Sequence, residues 1–217
     1  TGAMAGSDAV YDAAIRRAGM LRVDTLQDLF IAAETLAHFR GLPRGADLES
    51  LDRLTIVTNG GGAGVMAADA AALAGVSLAP LADSTRVLLD ATLPPNWSHA
   101  NPVDIIGDAP ALRYVQTLQA LLADRNSGTL LFMHAPTAIV PSTEIANALL
   151  PALQPAPGRL LSCWLGDAAV RTARDSFHSA GIPTYDTPEQ AVHAFSLLQT
   201  YRHNQALLMQ APPARTQ

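Results

Sequence analysis

The sequence predicts an α/β fold in which a doubly wound parallel sheet is covered by helices on both faces, and three observations carry that prediction. From Leu54 onward, short apolar runs alternate with longer stretches of helical periodicity. Five such units follow one another in series, which is the pattern of parallel strands joined by crossover helices. With 49% hydrophobic and only 15% charged residues, the 217-residue chain can bury a sizeable core.

Taken in order, residues 8 to 38 read as two helices. Ser7 is placed to cap the first, whose Val10, Ala14, Ile15 and Ala18 fall at helical spacing before Gly19 ends it. Thr25-Leu26-Gln27-Asp28 resembles a capping box with Asp in place of Glu. Leu26, Leu29, Phe30, Ala33, Leu36 and Ala37 then form an apolar stripe with a face to bury. The Gly- and Pro-punctuated stretch from Arg40 reads as a linker, taken as residues 41–51.

The units that follow are Leu54 to Val57 with a helix from about Val65 to Ala74, and Val76 to Leu81 with a helix from about Ser84 to Thr92. Val103 to Ile106 precedes a helix near 110–123, Thr129 to Met133 one near 143–153, and Leu160 to Leu165 one near 168–180. Pro183-Thr184-Tyr185 is a last extended piece. Thr187-Pro188-Glu189-Gln190 is a capping box with proline at the first helical position. The final helix turns Ala191, Val192, Ala194, Phe195, Leu198 and Tyr201 inward, and 209–217 reads as a flexible tail. The most economical assignment is flavodoxin-like over 52–208, with a 3-2-1-4-5 strand order left open.

Composition excludes several function classes. All fourteen basic residues are arginine, so a Schiff-base lysine and a Walker phosphate loop are both ruled out. At net charge −5, with arginines scattered singly, no basic stripe exists for a nucleic acid. No apolar run approaches the roughly 20 residues a spanning helix needs, so no membrane segment is expected. One cysteine, Cys163, excludes an intrachain disulfide and points to a reducing, cytoplasmic setting. Inside an apolar strand it reads as an inert buried thiol.

Thr58-Asn59-Gly60-Gly61-Gly62-Ala63-Gly64 follows the first strand and opens a helix. Glycines free the backbone to approach a ligand, and a helix amino end supplies unpaired amides and about half a positive charge. Asn59, Gly60, Gly61, Gly62 and Gly64 are the candidate phosphate-binding residues; the alternative is a tight turn that binds nothing. Gly62 to Ala67 also fits a dinucleotide fingerprint, but no carboxylate ends the second strand, and Asp83 reads as a cap for the next helix. Asp104 lies in a strand expected to be buried, where a carboxylate must be paired, so it either braces a loop or faces a crevice. Gly107 is expected to share that crevice, and His134, closing the fourth strand, sits where an acid–base group would stand; the alternative, more common for a lone histidine, is local packing or hydrogen bonding. Asp108 reads as a helix cap. The other histidines show no metal-ligand spacing, and no metal site is expected.

Three motifs in this order, Thr-Gly-Ala-Met-Ala-Gly-Ser-Asp at Thr1, Ile-Val-Thr-Asn-Gly-Gly-Gly-Ala-Gly-Val-Met-Ala-Ala-Asp-Ala at Ile56 and Asn-Pro-Val-Asp-Ile-Ile-Gly-Asp-Ala at Asn101, resemble the NDP-forming acyl-CoA synthetases, relatives of succinyl-CoA synthetase. The resemblance implies that residues 1–40 close a first flavodoxin-like domain carrying a phosphohistidine, the histidine lying just before Thr1. No catalytic residue is then expected within the chain itself, and the chain alone would be inactive. It further implies partner CoA-binding, phosphohistidine and ATP-grasp domains, and CoA, ATP or ADP and Mg as cofactors of the larger protein. Tyr11 to Val23, Glu34-Thr35-Leu36 and Tyr201 to Gln205 are similar to the synthetase-like region of bacterial protein lysine acetyltransferases, which implies a fused acetyltransferase domain and a regulatory role. A stand-alone flavodoxin-like or dinucleotide-binding module is the third reading.

Overall fold

The computed structural model describes residues 7–39, 48–153 and 158–208. The opening motif up to Gly6, the linker through residue 47 and the tail from 209 lie outside the described residues. Helices α1 (Asp8–Arg17), α2 (Leu26–His38) and the short α3 (Leu48–Leu51) come first, so the last residues of the expected linker are helical. Then follow β1 (Leu54–Thr58), α4 (Gly61–Leu73), α5 (Asp83–Thr92), β2 (Val103–Asp104), α6 (Ala111–Ala123) and β3 (Thr129–His134). α7 (Ser142–Ala152), β4 (Leu160–Trp164), α8 (Arg171–Ser179), β5 (Thr184–Tyr185) and α9 (Pro188–Leu208) complete the order.

The strands form one five-stranded sheet, all parallel, in the order β2-β1-β3-β4-β5. This is the flavodoxin-like order, and it settles the order that the sequence left open. The expected strand from Val76 to Leu81 is not one; it makes a single bridge, Leu78 to Leu54. The reason is Asn101, whose side chain occupies the β1 edge. Its Oδ1 accepts from the Ile56 amide at 3.0 Å, and its Nδ2 donates to the carbonyls of Leu54 at 2.8 Å and Ala79 at 2.9 Å. Beyond Asn101, β2 takes the edge, pairing Val103 with Val57 and Asp104 with Thr58.

Successive strand side chains point to opposite faces, so the sheet feeds two cores. On one face Val57, Val103, Phe132 and Trp164 meet Leu89 of α5, Tyr114 and Leu118 of α6, Leu149 of α7 and Phe177 of α8. Phe132, Trp164 and Phe177 form an aromatic triangle with centroids 4.9 to 5.9 Å apart. On the other face Ile56, Leu131, Met133 and Leu161 meet Ala67 and Ala71 of α4, Phe195 and Leu198 of α9, and Phe39 at the end of α2. The alanines of α4 allow that helix to lie close to the sheet.

Helix ends agree with the sequence in part. Thr25 Oγ1 accepts from the Asp28 amide at 3.0 Å, and Thr187 Oγ1 accepts from the Gln190 amide at 3.2 Å. Ser7 stands at the cap position of α1 but its side chain makes no capping bond. Asp83 is the first residue of α5, with Ala82 at the cap position, and its carboxylate accepts from Arg86 instead. Tyr201 is half-buried rather than inward-facing, and the next turn buries Arg202 and Asn204.

The stripe assigned to the buried side of α2 is a correction. Leu26, Leu29, Phe30, Ala33 and Ala37 are exposed and Leu36 is half-buried. The face that packs is Ala32 and Thr35 with Ile31, on the opposite side of the helix. Polar contacts hold it there: Asp28 accepts from His193 at 2.9 Å, and Thr35 meets the Tyr185 hydroxyl at 2.6 Å. Periodicity finds the strongest apolar stripe, and these hydroxyl and carboxylate contacts are invisible to it. Asn204 and Gln205 of α9 donate to the carbonyls of Met20 at 2.8 Å and Gly19 at 2.6 Å, fixing the turn between α1 and α2.

Candidate functional site

The strand order reverses at β1, and in open α/β sheets the crevice lies outside the carboxyl ends of the strands at such a point. Here that is where β1 and β3 end. Asn59 joins them. Its Nδ2 donates to the Ala135 carbonyl and its Oδ1 accepts from the Ala135 amide, both at 2.8 Å. With both polar atoms used and the residue buried, the Asn59 side chain is a staple between β1 and β3. Thr58 turns the chain next: its Oγ1 accepts from the Gly60 amide at 3.0 Å.

α4 begins at Gly61, four residues before the expected start, so the glycines are its first turn and not a loop. Gly60 is the cap residue, and the Gly64 amide donates to its carbonyl at 3.1 Å. The amides of Gly61, Gly62 and Ala63 have no helical carbonyl to pair with, and Gly61 and Gly62 are exposed. None of these glycines has a positive φ, so none is required by backbone conformation. Packing explains three. A Cβ at Gly60 would stand 3.1 Å from that of Ala135, at Gly61 2.9 Å from Asp104 Oδ2, and at Gly64 3.2 Å from Thr58 Cγ2. At Gly62 a Cβ would meet nothing within 4 Å. Packing among the described residues therefore gives no reason for glycine there.

Asp104 is half-buried, not buried, and its Oδ1 accepts from the Ile106 amide at 2.9 Å. It braces the loop, and its other oxygen lies against Gly61, flanking the amino end of α4. Ile106 has φ 69°, a left-handed conformation that is costly for a β-branched residue. That turn brings Gly107 beside the Asn59 carbonyl, so the loops after β1 and β2 do adjoin. Asp108 does not cap α6, whose cap position is Pro110; it pairs with Arg113 at 2.6 Å, and Arg113 also donates to the Ile105 carbonyl at 3.1 Å.

His134 does not line the crevice. It is fully buried, with Nδ1 3.1 Å from the Tyr114 hydroxyl and Nε2 3.1 Å from Ser142 Oγ. Burial depresses its pKa to about 4, so at neutral pH the ring is uncharged and joins β3 to α6 and α7. Cys163 is likewise buried, and burial pushes its thiol up to about 12. Among the described residues no group of three His, Cys, Asp or Glu side chains is placed to hold a metal ion. No helix among them is long and apolar enough to cross a membrane. A cavity of about 390 Å³, lined by Glu49, Arg53, Leu81 and Asn126, lies at the opposite, amino edge of the sheet. Sequence reasoning missed the bracing roles of Thr58 and Asn101; an Asn-Pro pair at a strand entry was the available signal for the second.

Two family models match the chain. "Succinyl-CoA ligase like flavodoxin domain" covers residues 1–36, and "Ligase-CoA domain" covers 54–208. The chain is 35% identical over 201 residues to acetate–CoA ligase [ADP-forming] I of Archaeoglobus fulgidus, covering 93% of this chain and 27% of that protein. It is 32% identical over 200 residues to acetate–CoA ligase [ADP-forming] I subunit alpha of Pyrococcus furiosus, covering 91% of this chain and 42% of that subunit. A solved structure of dinucleotide forming acetyl-coenzyme A synthetase 1 from Ca. Korarchaeum cryptofilum, in complex with phosphate and ADP, superposes with a TM-score of 0.84 at 30% identity. That match covers 94% of this chain and 43% of the solved one. The chain thus spans less than half the length of each of these relatives.

Proposed function

Because this chain belongs to the NDP-forming, succinyl-CoA synthetase-like acyl-CoA synthetases, we propose that it is the second flavodoxin-like domain, 52–208, of an acid–CoA ligase, led by the closing helices, within 1–40, of a first. In this reading the amino end of α4 stabilises a phosphohistidine carried by the preceding domain. The observation that carries it is Gly62: an exposed first-turn position with unpaired amides and no side chain, for which packing among the described residues supplies no cause.

The physical logic is electrostatic. A phosphorylated imidazole concentrates negative charge, and a helix amino end offers fixed amides and a partial positive charge without reorganising. A side chain at Gly62 would keep the phosphoryl group away. Asn59 and Thr58 hold β1, β3 and the first turn of α4 in register. Asp104 restrains the neighbouring loop while limiting how much anion that flank accepts.

The larger protein would convert acyl-CoA, phosphate and ADP into acid, CoA and ATP through an acyl phosphate and the phosphohistidine. CoA, ADP and Mg are cofactors of the larger protein in this reading. They are assigned to partner CoA-binding and ATP-grasp domains, and no step is routed through them in this chain. The relatives named above are all ligases or synthetases, which favours this reading over the regulatory acetyltransferase one.

The test uses the full-length protein with acetyl-CoA and phosphate. Gly62→Asp should lower acid-labile phosphorylation at least tenfold by placing a like charge beside the phosphoryl group, with the unfolding temperature unchanged. Normal phosphorylation in that variant refutes the role given to α4.

A further inference from the structure

His99 stands in the loop between α5 and β2 with both ring nitrogens on acceptors. Its Nδ1 lies 2.8 Å from Asp90 Oδ1 and its Nε2 3.0 Å from the Pro95 carbonyl. A neutral imidazole has one N–H and satisfies only one of the two, whereas the imidazolium donates to both. The backbone of His99 is left-handed, φ 54°, and its ring reaches back to α5, tilted against buried Trp97 at 4.8 Å between centroids. The Trp97 indole donates to the same Asp90 oxygen at 2.9 Å. Beside His99, Ser98 Oγ accepts from the Asp104 amide at 3.0 Å and donates to the Pro102 carbonyl at 2.6 Å. We propose that charged His99 is a positioning residue for the anion site: it fastens the loop through which Ser98 pins Asp104 at the flank of α4, leaving the unpaired amides there to an incoming phosphoryl group.

The proposal rests on the reading of α4 as an anion cradle and goes further by naming what keeps the chain's own carboxylate out of it. Asp104 Oδ2 is close enough to Gly61 that a Cβ there would stand 2.9 Å away. A carboxylate is a natural occupant of a helix amino end. Held through its amide by Ser98 and through Oδ1 by the Ile106 amide, Asp104 stays at the flank. Released, it would take the amides of Gly61 and Gly62 and compete with phosphate. Among the described residues the charged groups acting on the His99 ring are Asp90 and Arg86, both on α5. The Pro95 carbonyl and then the Asp90 carboxylate raise the imidazole above its ordinary pKa of 6.5, with Arg86 opposing. A raised folded pKa means that the latch is fully formed below 6.5 and is lost as pH rises through the folded value. Anion affinity at α4 falls across that rise, and by reciprocity an anion bound at α4 holds the proton on His99 more tightly.

Sulfate is the probe, because its charge does not change over the range tested, and calorimetry follows its binding to this chain between about pH 6 and about pH 9. The expected result is a loss of affinity of at least about threefold toward the higher pH. His99→Asn, a residue that tolerates the left-handed backbone but cannot charge, should bind weakly at both ends of the range, and adding Asp104→Asn to it should restore tight binding. Asp90→Asn keeps an acceptor without its charge, so the midpoint of the fall should move to lower pH, which keeps the test readable if His99→Asn unfolds. A merely structural histidine would lower stability in these variants without moving that midpoint. A pH dependence that persists undiminished in His99→Asn, an unmoved midpoint in Asp90→Asn, or binding that Asp104→Asn does not restore overturns the inference. If sulfate does not bind the unaltered chain, or binds it equally well in Gly62→Asp, the cradle reading falls and this inference with it. Sulfate binding that Gly62→Asp abolishes, but that is indifferent to His99, overturns this inference alone.

Discussion

At His134, burial decides the chemistry. The unfolded imidazole takes its proton near 6.5 and the folded one near about 4, so between those values the unfolded state binds more protons. Stability present above pH 6.5 is therefore lost as pH falls toward 4, by up to about 3 kcal/mol at 1.36 kcal/mol per unit. Urea unfolding at pH 7.5 and 5 should show a smaller decline for His134→Asn than for the unaltered chain; equal declines would show that this ring is not the proton acceptor. The glycines make a second test. Gly62→Ala should stabilise α4 by about 0.5–1 kcal/mol, since the new methyl meets open space, while Gly61→Ala should not, because its methyl meets Asp104. Thermal unfolding of the two variants separates them. Asp104→Asn should raise phosphate affinity by about fivefold or less, measured by titration, because it removes a like charge at the helix amino end. From sequence, the glycines, Asp104 and His134 were legible as residues of consequence, but not by role. Burial and partner geometry give the histidine the structural alternative, a bridge from β3 to α6 and α7, and engage both polar atoms of the Asn59 side chain.

Elements were more legible than their ends. The three central strands, β1, β3 and β4, overlap runs that apolar patterning picks out, because a strand buried on both faces is largely apolar. Val76 to Leu81 met the same criterion and failed, since pairing depends on a free edge and Asn101 occupies the one beside β1. The α2 stripe failed for a related reason. Its strongest apolar residues are exposed, and its packed face is held partly by Asp28 and Thr35. Two asparagines now carry testable weight. Asn59→Ala and Asn101→Ala each leave buried backbone groups unpaired, and each should cost about 1–3 kcal/mol by urea unfolding. A loss below about 0.5 kcal/mol in either would show that water replaces the side chain and that the staple is dispensable.

For the molecule as a whole, the sheet order places the end of β1, the amino end of α4 and the loop after β2 at one edge, the edge to which the proposed function assigns anion binding. The competing use of such an edge is a dinucleotide. The carboxylate that ends β2, Asp104, accepts from the Ile106 amide and lies against Gly61 instead of standing free for a ribose, so calorimetry should find no micromolar binding of NAD or NADP; such binding would favour the dinucleotide reading. The central claim is that the first turn of α4 is an anion cradle, and backbone amide chemical shifts during a phosphate titration of this chain at low ionic strength test it most directly. The account predicts saturable shifts centred on Gly61, Gly62 and Ala63 that vanish in Gly62→Asp. Shifts centred at any other helix, or a response at Gly62 that survives the aspartate, would contradict it.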